Sequence, residues 1–250
     1  MTSQPPAWAV VLDHTATRTA TAVLLTFLCT GAMILAGQPL GVAAVLLLVY
    51  LWRRVARRPW SGLGLRVTWA AVAHGLLGVA AAVAATLAAN AAAVALGAAR
   101  WVPWEPDGLA YLPVAIAMIV VVQAFPEELL WRGNLHDILA DRLPPLAVMV
   151  LTSVAFGSLH VLSQSEADGA AEVALYAVGA AALGFACAAS RERTGTLWAA
   201  IGIHSGFYFA NGFVPTEPAA YGVQLTAQAA VLTAVGMLFL VRPRPRVPIA

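Results

Sequence analysis

Eight long apolar runs, separated by short loops that collect the arginines, decide what this chain can fold into. The runs lie near residues 19–36, 39–52, 68–98, 109–131, 145–163, 171–190, 196–212 and 221–241. A helix that crosses a bilayer needs about 20 mostly apolar residues, within a range of about 17–25. The second run is short, and the third is long enough to tilt or to break near Asn90. Hydrophobic residues make up 61% of the chain and charged residues 10%. An average soluble domain has about 45–50% and about 25%. A soluble globule, a disordered chain and a disulfide scaffold are excluded. The reading is an all-α, polytopic transmembrane helical bundle of about eight spans, forming one integral membrane domain over residues 1–250.

Every basic residue is arginine. With eight spans, Arg18, Arg53, Arg54, Arg57, Arg58, Arg66, Arg132, Arg142, Arg191, Arg193, Arg242, Arg244 and Arg246 fall at one face, and Arg100 alone at the other. The opposite loops carry Glu105, Asp107, Glu166, Asp168, Glu172 and Glu217. Cytoplasmic loops are enriched in Lys and Arg. The split therefore predicts a protein of the cell membrane with both termini in the cytoplasm. The partners are the bilayer and a membrane-borne substrate. No dense basic face exists outside short loops, so nucleic acid is not an expected partner.

Cys29 and Cys187 sit inside apolar runs and read as small buried hydrophobes. No CxxC, HExxH or Walker-type motif occurs, and the N-terminus lacks the basic start of a signal peptide. Gly202 and Gly206 have the small-xxx-small spacing of a helix-packing seam. His74 and Asn90 interrupt the third run and read as hydrogen-bonding partners of neighbouring helices. His136 reads as solvated at the interface and His14 as part of a polar tail. Trp101, Trp104 and Tyr221 read as an interfacial belt.

Ionisable residues inside a membrane span mark function by default. The strongest group is Glu127, Glu128 and Arg132 in FPEELLWRG. Positions i and i+4 share a helix face, so Glu128 can pair with Arg132. Glu127 then points about 100° away, free to face a cavity. The chain turns near residues 141–145, which puts Glu127 and His160 at similar depth, roughly 21–23 Å from the turn at 1.5 Å per residue. His204, eleven residues from Arg193, reaches a comparable level. Three of the few ionisable groups in the spans thus converge. Two chemistries fit. In one, Glu127 acts as general base on a water shared with His160, and histidine and amide donors stabilise the oxyanion. In the other, Glu127, His160 and His204 hold Zn²⁺, which activates the water.

These residues resemble the CPBP family, the CAAX-processing and bacteriocin-processing intramembrane proteases, also described as abortive-infection-like proteins. The family pattern is EExxxR, then FxxxH, then HxxxN or HxxxD on separate helices. Glu127-Glu128-Leu129-Leu130-Trp131-Arg132 matches the first element and Phe156-Gly157-Ser158-Leu159-His160 the second. RTGTLWAAIGIHSG resembles the approach to the third, ending at His204. The resemblance covers about residues 110–212, the expected catalytic core. The family has Asn or Asp four residues after the second histidine, where this chain has Tyr208. The next amide is Asn211. Tyr208 and Asn211 are thus the expected oxyanion or supporting groups.

The resemblance implies an intramembrane endopeptidase acting on a membrane-associated or lipidated (CAAX-like) protein or peptide, with its site open to the cytoplasm. Glu127 and His160 would activate water, His204 would stabilise the oxyanion, and Glu128 and Arg132 would position Glu127. A glutamate-type enzyme without cofactor is favoured over a zinc enzyme. Metal-bound histidines usually need an orienting partner, and the sequence identifies none for His204. The alternative is a non-catalytic immunity or scaffold protein that binds a peptide in the same cavity. A transporter would show symmetry-related interruptions in two halves, and no such repeat occurs.

Overall fold

Helix ends in the computed structural model fall where the sequence places its breakers and caps. The structure describes residues 15–103, 108–163 and 165–241. His14, Trp104, Glu105, Asp107, Arg242, Arg244 and Arg246 lie outside the described residues. Helices α1 (Thr15–Ala36) and α2 (Gln38–Val55) pack together, and a short 3₁₀ turn (Trp60–Leu63) follows. α3 (Trp69–Ala95) starts where the Thr68 side chain accepts a bond from the Ala71 N–H at 3.1 Å, and it runs unbroken through Asn90. α4 begins at Gly108 and continues in one line to Leu139. Pro144 and Pro145 open α5 (Pro145–Leu159), which a 3₁₀ turn extends through His160–Leu162. α6 (Gly169–Thr194) ends on Gly195, whose φ of 69° favours a residue without Cβ. The Thr196 hydroxyl then caps α7 (Leu197–Phe213). α8 is Tyr221–Val241.

The all-α membrane architecture holds. Among the described residues, six helices are long and apolar enough to cross a membrane. The remaining two, α2 and α7, have 18 and 17 residues, and α2 ends on Arg53 and Arg54. At 1.5 Å per residue, α7 rises only about 25 Å. It is also the innermost helix, with Leu197, Ala199, Ala200 and Ile203 fully enclosed. The outer surface carries many exposed Leu, Val and Trp side chains, as suits contact with lipid.

Helices α3 to α8 run between two ends that are built differently. At the arginine end, Arg53 Nη1 donates to Asp137 Oδ2 at 2.7 Å and to the Pro59 carbonyl at 2.9 Å. Arg58 donates to the same Asp137 oxygen at 2.9 Å and to Asp141 at 2.6 Å. That hydrogen bond from Arg58 holds the Asp141 carboxyl below its usual pKa and raises that of Arg58. Arg191 reaches the Gly62 carbonyl at 2.9 Å. At the opposite, acidic end, β1 (Ala99–Trp101) pairs antiparallel with β2 (Thr216–Pro218), setting Arg100 against Glu217. Glu172 accepts from the Gly222 N–H at 3.0 Å and so ties α6 to α8.

Gly202 and Gly206 form the expected seam. A Cβ on Gly202 would strike the Gly75 carbonyl, and one on Gly206 the Val79 carbonyl, both on α3. Small residues thus let two backbones touch where side-chain packing alone would hold them apart. Cys29 and Cys187 are both buried and unpaired by disulfide, as expected.

α4 departs from regular geometry in the stretch that carries the acidic pair. Met118–Ala124 and Leu129–Leu135 are π-helical, and Phe125–Glu128 is a single α-turn between them. The Phe125 N–H bonds to the Val120 carbonyl and the His136 N–H to the Trp131 carbonyl, each five residues back. Pro126 lacks an N–H and crowds the preceding turn. Wider turns beside it relieve that crowding, and such bulges are frequent at functional sites.

Candidate active site

Glu128 is fully buried, and one of its oxygens is matched while its Oε2 has no hydrogen-bond partner among the described residues. Its Oε1 accepts from Arg132 Nη1 at 3.1 Å and from His204 Nδ1 at 2.8 Å. The i, i+4 pairing expected of Glu128 and Arg132 survives the π-helical stretch. The Arg132 guanidinium lies 4.6 Å over the Phe156 ring. Space for it comes from α6, because a Cβ on Gly184 would run into Arg132 Nη2. Phe156 therefore does more than separate helices: its ring faces both Arg132 and, at 6.2 Å, His204.

Glu127 is held differently. Its Oε1 accepts from Gln123 Nε2 at 2.5 Å, one helical turn back. Its Oε2 is buried, has no hydrogen-bond partner among the described residues, and lies 3.9 Å from His204 Nε2. A buried acceptor left unpaired is rare and calls for an explanation. Here it faces an imidazole nitrogen across a gap too long for a direct hydrogen bond.

The shared depth of Glu127 and His204 is thus realised as contact. His160 stands apart: no hydrogen bond among the described residues joins it to Glu127. Its Nδ1 bonds to the Phe156 carbonyl at 2.8 Å, and its ring lies 4.5 Å from that of Phe156 and 6.0 Å from Tyr176. A carbonyl can only accept, so His160 Nδ1 carries the proton. His204 likewise donates from Nδ1 to a carboxylate. Both histidines are therefore oriented through Nδ1, with Nε2 left for chemistry. The orienting partner of His204 that the sequence does not reveal is Glu128.

Tyr208 stacks on the His204 ring at 5.4 Å and 17°. Asn211 points elsewhere. Its Oδ1 accepts from Asn90 Nδ2 at 3.1 Å and from Gln228 Nε2 at 3.0 Å, in an amide network that joins α3, α7 and α8. Asn90 is accordingly a helix-to-helix bonding residue, as expected. His136 is a correction: it is 5% exposed rather than solvated, with its Nε2 3.4 Å from Glu192, because α4 packs inward to its last turn.

The donor geometry bears on a metal. Among the described residues, one group of three His, Cys, Asp or Glu side chains brings its ligand atoms within 4.8 Å of one another: Glu128, Cys187 and His204. In that group Glu128 and His204 already bond to each other beside the Arg132 cation. The expected set of Glu127, His160 and His204 is not gathered to that distance, and Glu127 and His204 alone lie 3.9 Å apart. Tetrahedral zinc ligands at about 2.0–2.3 Å would stand about 3.3–3.8 Å apart. The 3.9 Å between Glu127 and His204 stands just outside that spacing.

Residues 109–210 match the family model described as "Type II CAAX prenyl endopeptidase Rce1-like". This segment is similar to the Rce1-like domain. The Rce1-like family is one of intramembrane proteases, and with six apolar helices the chain is an integral membrane protein. The Rce1-like segment runs from the start of α4 into α7 and contains Glu127, Glu128, Arg132, His160, His204 and Tyr208. No curated protein matches the chain. Sequence reasoning missed Gln123, Gly184 and Cys187 around the acidic pair. Gln123 is four residues before Glu127 and so shares its face, a signal that was present. Nothing in the sequence links α6 to Arg132.

Proposed function

We propose that the protein is an intramembrane endopeptidase of the glutamate type, hydrolysing a peptide bond in a membrane-associated or lipidated protein or peptide. The observation that carries this reading is the buried, unpartnered Oε2 of Glu127 facing His204 Nε2. Glu127 takes a proton from a water that also bonds to His160 Nε2, and the water oxygen attacks the scissile carbonyl. His204, held at Nδ1 by Glu128, donates from Nε2 in its protonated form to the oxyanion. The Tyr208 hydroxyl adds a second donor, in place of the family's amide. Glu127 then passes the proton to the leaving nitrogen as the tetrahedral intermediate collapses. Glu128 and Arg132 position the histidine and do not themselves touch substrate.

The arginine bias supports a cell-membrane protein with both termini in the cytoplasm. The full chain acts as one membrane domain, because α3 and α8, outside the Rce1-like segment, supply Asn90, Gln224 and Gln228 to the same interior.

The test is cleavage of a tagged membrane-peptide library by purified protein, with and without a chelator. Cleavage that persists in chelator and is lost in Glu127→Ala supports a glutamate-type protease. Loss in chelator supports a metal enzyme. Binding without cleavage in any form supports a peptide-binding protein, in which Tyr208→Asn would be the first variant to assay for gain of activity.

A further inference from the structure

Four side chains at the interior site close into a ring of contacts. Gln123 Nε2 donates to Glu127 Oε1 at 2.5 Å. Glu127 Oε2 faces His204 Nε2 at 3.9 Å. The His204 ring stacks on that of Tyr208, with centroids 5.4 Å apart and planes 17° from parallel. The Tyr208 side chain hydrogen-bonds that of Gln123, which completes the ring. Glu127, His204 and Tyr208 carry the chemistry proposed above. Gln123 touches the first and the last of them.

Local structure explains how one amide reaches both. Gln123 lies in the π-helical stretch Met118–Ala124, four residues before Glu127, and the two side chains meet on one face of α4. α7 packs against that stretch. On α7, Tyr208 stands one turn beyond His204 and on the same face. A tyrosine carries its oxygen further from the helix than an Asn carries its amide. The hydroxyl of Tyr208 therefore crosses to Gln123 on α4.

A carboxamide nitrogen has two hydrogens, and a phenol oxygen both accepts and donates. One hydrogen of Gln123 is committed to Glu127. We infer that Gln123 is a positioning residue whose second hydrogen goes to the Tyr208 oxygen, so that one amide aims both the base and the second oxyanion donor. With Oε1 occupied, Glu127 presents Oε2 to the water. With its oxygen accepting from Gln123, Tyr208 turns its own proton toward the cavity that it lines beside His160. In the opposite sense, with Tyr208 donating to the Gln123 carbonyl, the phenol proton would be spent and the oxyanion would lose a donor. The inference rests on the proteolytic reading, and it adds the residue that lets a tyrosine stand in for the family's amide.

The experiment is a double-mutant cycle in the full-length protein. Gln123→Met keeps most of the volume and removes the amide. Tyr208→Phe keeps the ring against His204 and removes the hydroxyl. Thermal melting and cleavage of one library peptide are measured for the wild type, both single variants and the double variant. The losses in melting temperature are expected to be non-additive by about 2–4 °C, as for two groups in direct contact. Each single variant is expected to lower kcat by about tenfold to 10²-fold with KM unchanged, because these bonds orient reacting groups and do not bind substrate. Tyr208→Phe is expected to cost less than about twofold in the Gln123→Met background, where the hydroxyl is no longer aimed. Gln123→Leu takes the place of Gln123→Met if that variant does not assemble. Additive melting losses overturn the bond. Tyr208→Phe cleaving at the wild-type rate, or losing as much rate in the Gln123→Met background as in the wild type, overturns the positioning role. A wild type that cleaves nothing overturns the proteolytic reading and the positioning role with it, while the melts still decide whether Gln123 and Tyr208 are bonded.

Discussion

α4 carries two ionic clusters about three turns apart, and they treat their carboxylates in opposite ways. At the arginine end, Asp137 and Asp141 each accept from guanidinium groups, and these bonds clamp α4 to the loop after α2. In the interior, Glu128 Oε1 is shared by the Arg132 cation and His204, Glu127 Oε1 meets only the neutral Gln123 amide, and the Oε2 of each has no hydrogen-bond partner among the described residues. A saturated cluster holds structure together. A cluster that leaves buried acceptors unpaired gives up stability, and the one that faces His204 Nε2, on Glu127, is the group in reserve for chemistry. Adjacent residues on one turn thus divide the labour, one as anchor and the other as reagent.

The largest expected effect comes from breaking that asymmetry. Glu127→Gln is expected to lower the cleavage rate about 10²–10⁴-fold, the usual contribution of a general base. Its thermal melting should match the wild type, because the missing charge had no partner at Oε2. Glu128→Ala removes the anchor instead. It leaves Arg132 buried beside no carboxylate of its own, and a cost of about 3–5 kcal/mol is expected in a denaturation assay, together with lost activity. A smaller effect is expected from Gly184→Val, which pushes on Arg132 without removing a charge. Overpacking of this kind costs about 1–3 kcal/mol, and cleavage should fall with it.

The smallest effect is expected at the clamp. Asp141 is half exposed, so Asp141→Asn should cost at most about 1 kcal/mol and leave activity unchanged. The Arg58 hydrogen bond lowers the Asp141 pKa in the folded protein. Its contribution is therefore complete above the unfolded value of about 3.9 and is lost as pH falls through the lower folded value. Melting temperatures compared between wild type and Asp141→Asn should differ by the same amount from pH 8 to 5 and converge in stronger acid.

Much of this was legible in the sequence because lipid imposes simple rules. Apolar run length and arginine placement give the helices and their two ends. The spacing of Glu128 and Arg132 gives their pairing, and Gly202 with Gly206 gives a packing seam, though not the helix it meets. What the sequence hid depends on contacts between helices or on irregular turns. A 3.6-residue period cannot register the π-helical stretches around Pro126. Gly184 reads as one more small residue in an alanine-rich helix until Arg132 is seen filling the space beside it. The bond from His204 to Glu128 crosses 76 positions of chain, and depth arithmetic reached the right level without saying which carboxylate would take it. His160 shows the limit of that arithmetic: equal depth did not bring it into hydrogen-bond contact with Glu127.

The most direct measurement is the rate of cleavage of one peptide from the library by wild type and by Glu127→Gln at equal folded concentration, with thermal melts run in parallel. A variant that melts like the wild type and cleaves at least about 10²-fold more slowly agrees with Glu127 as the base. A variant that cleaves at the wild-type rate would contradict it.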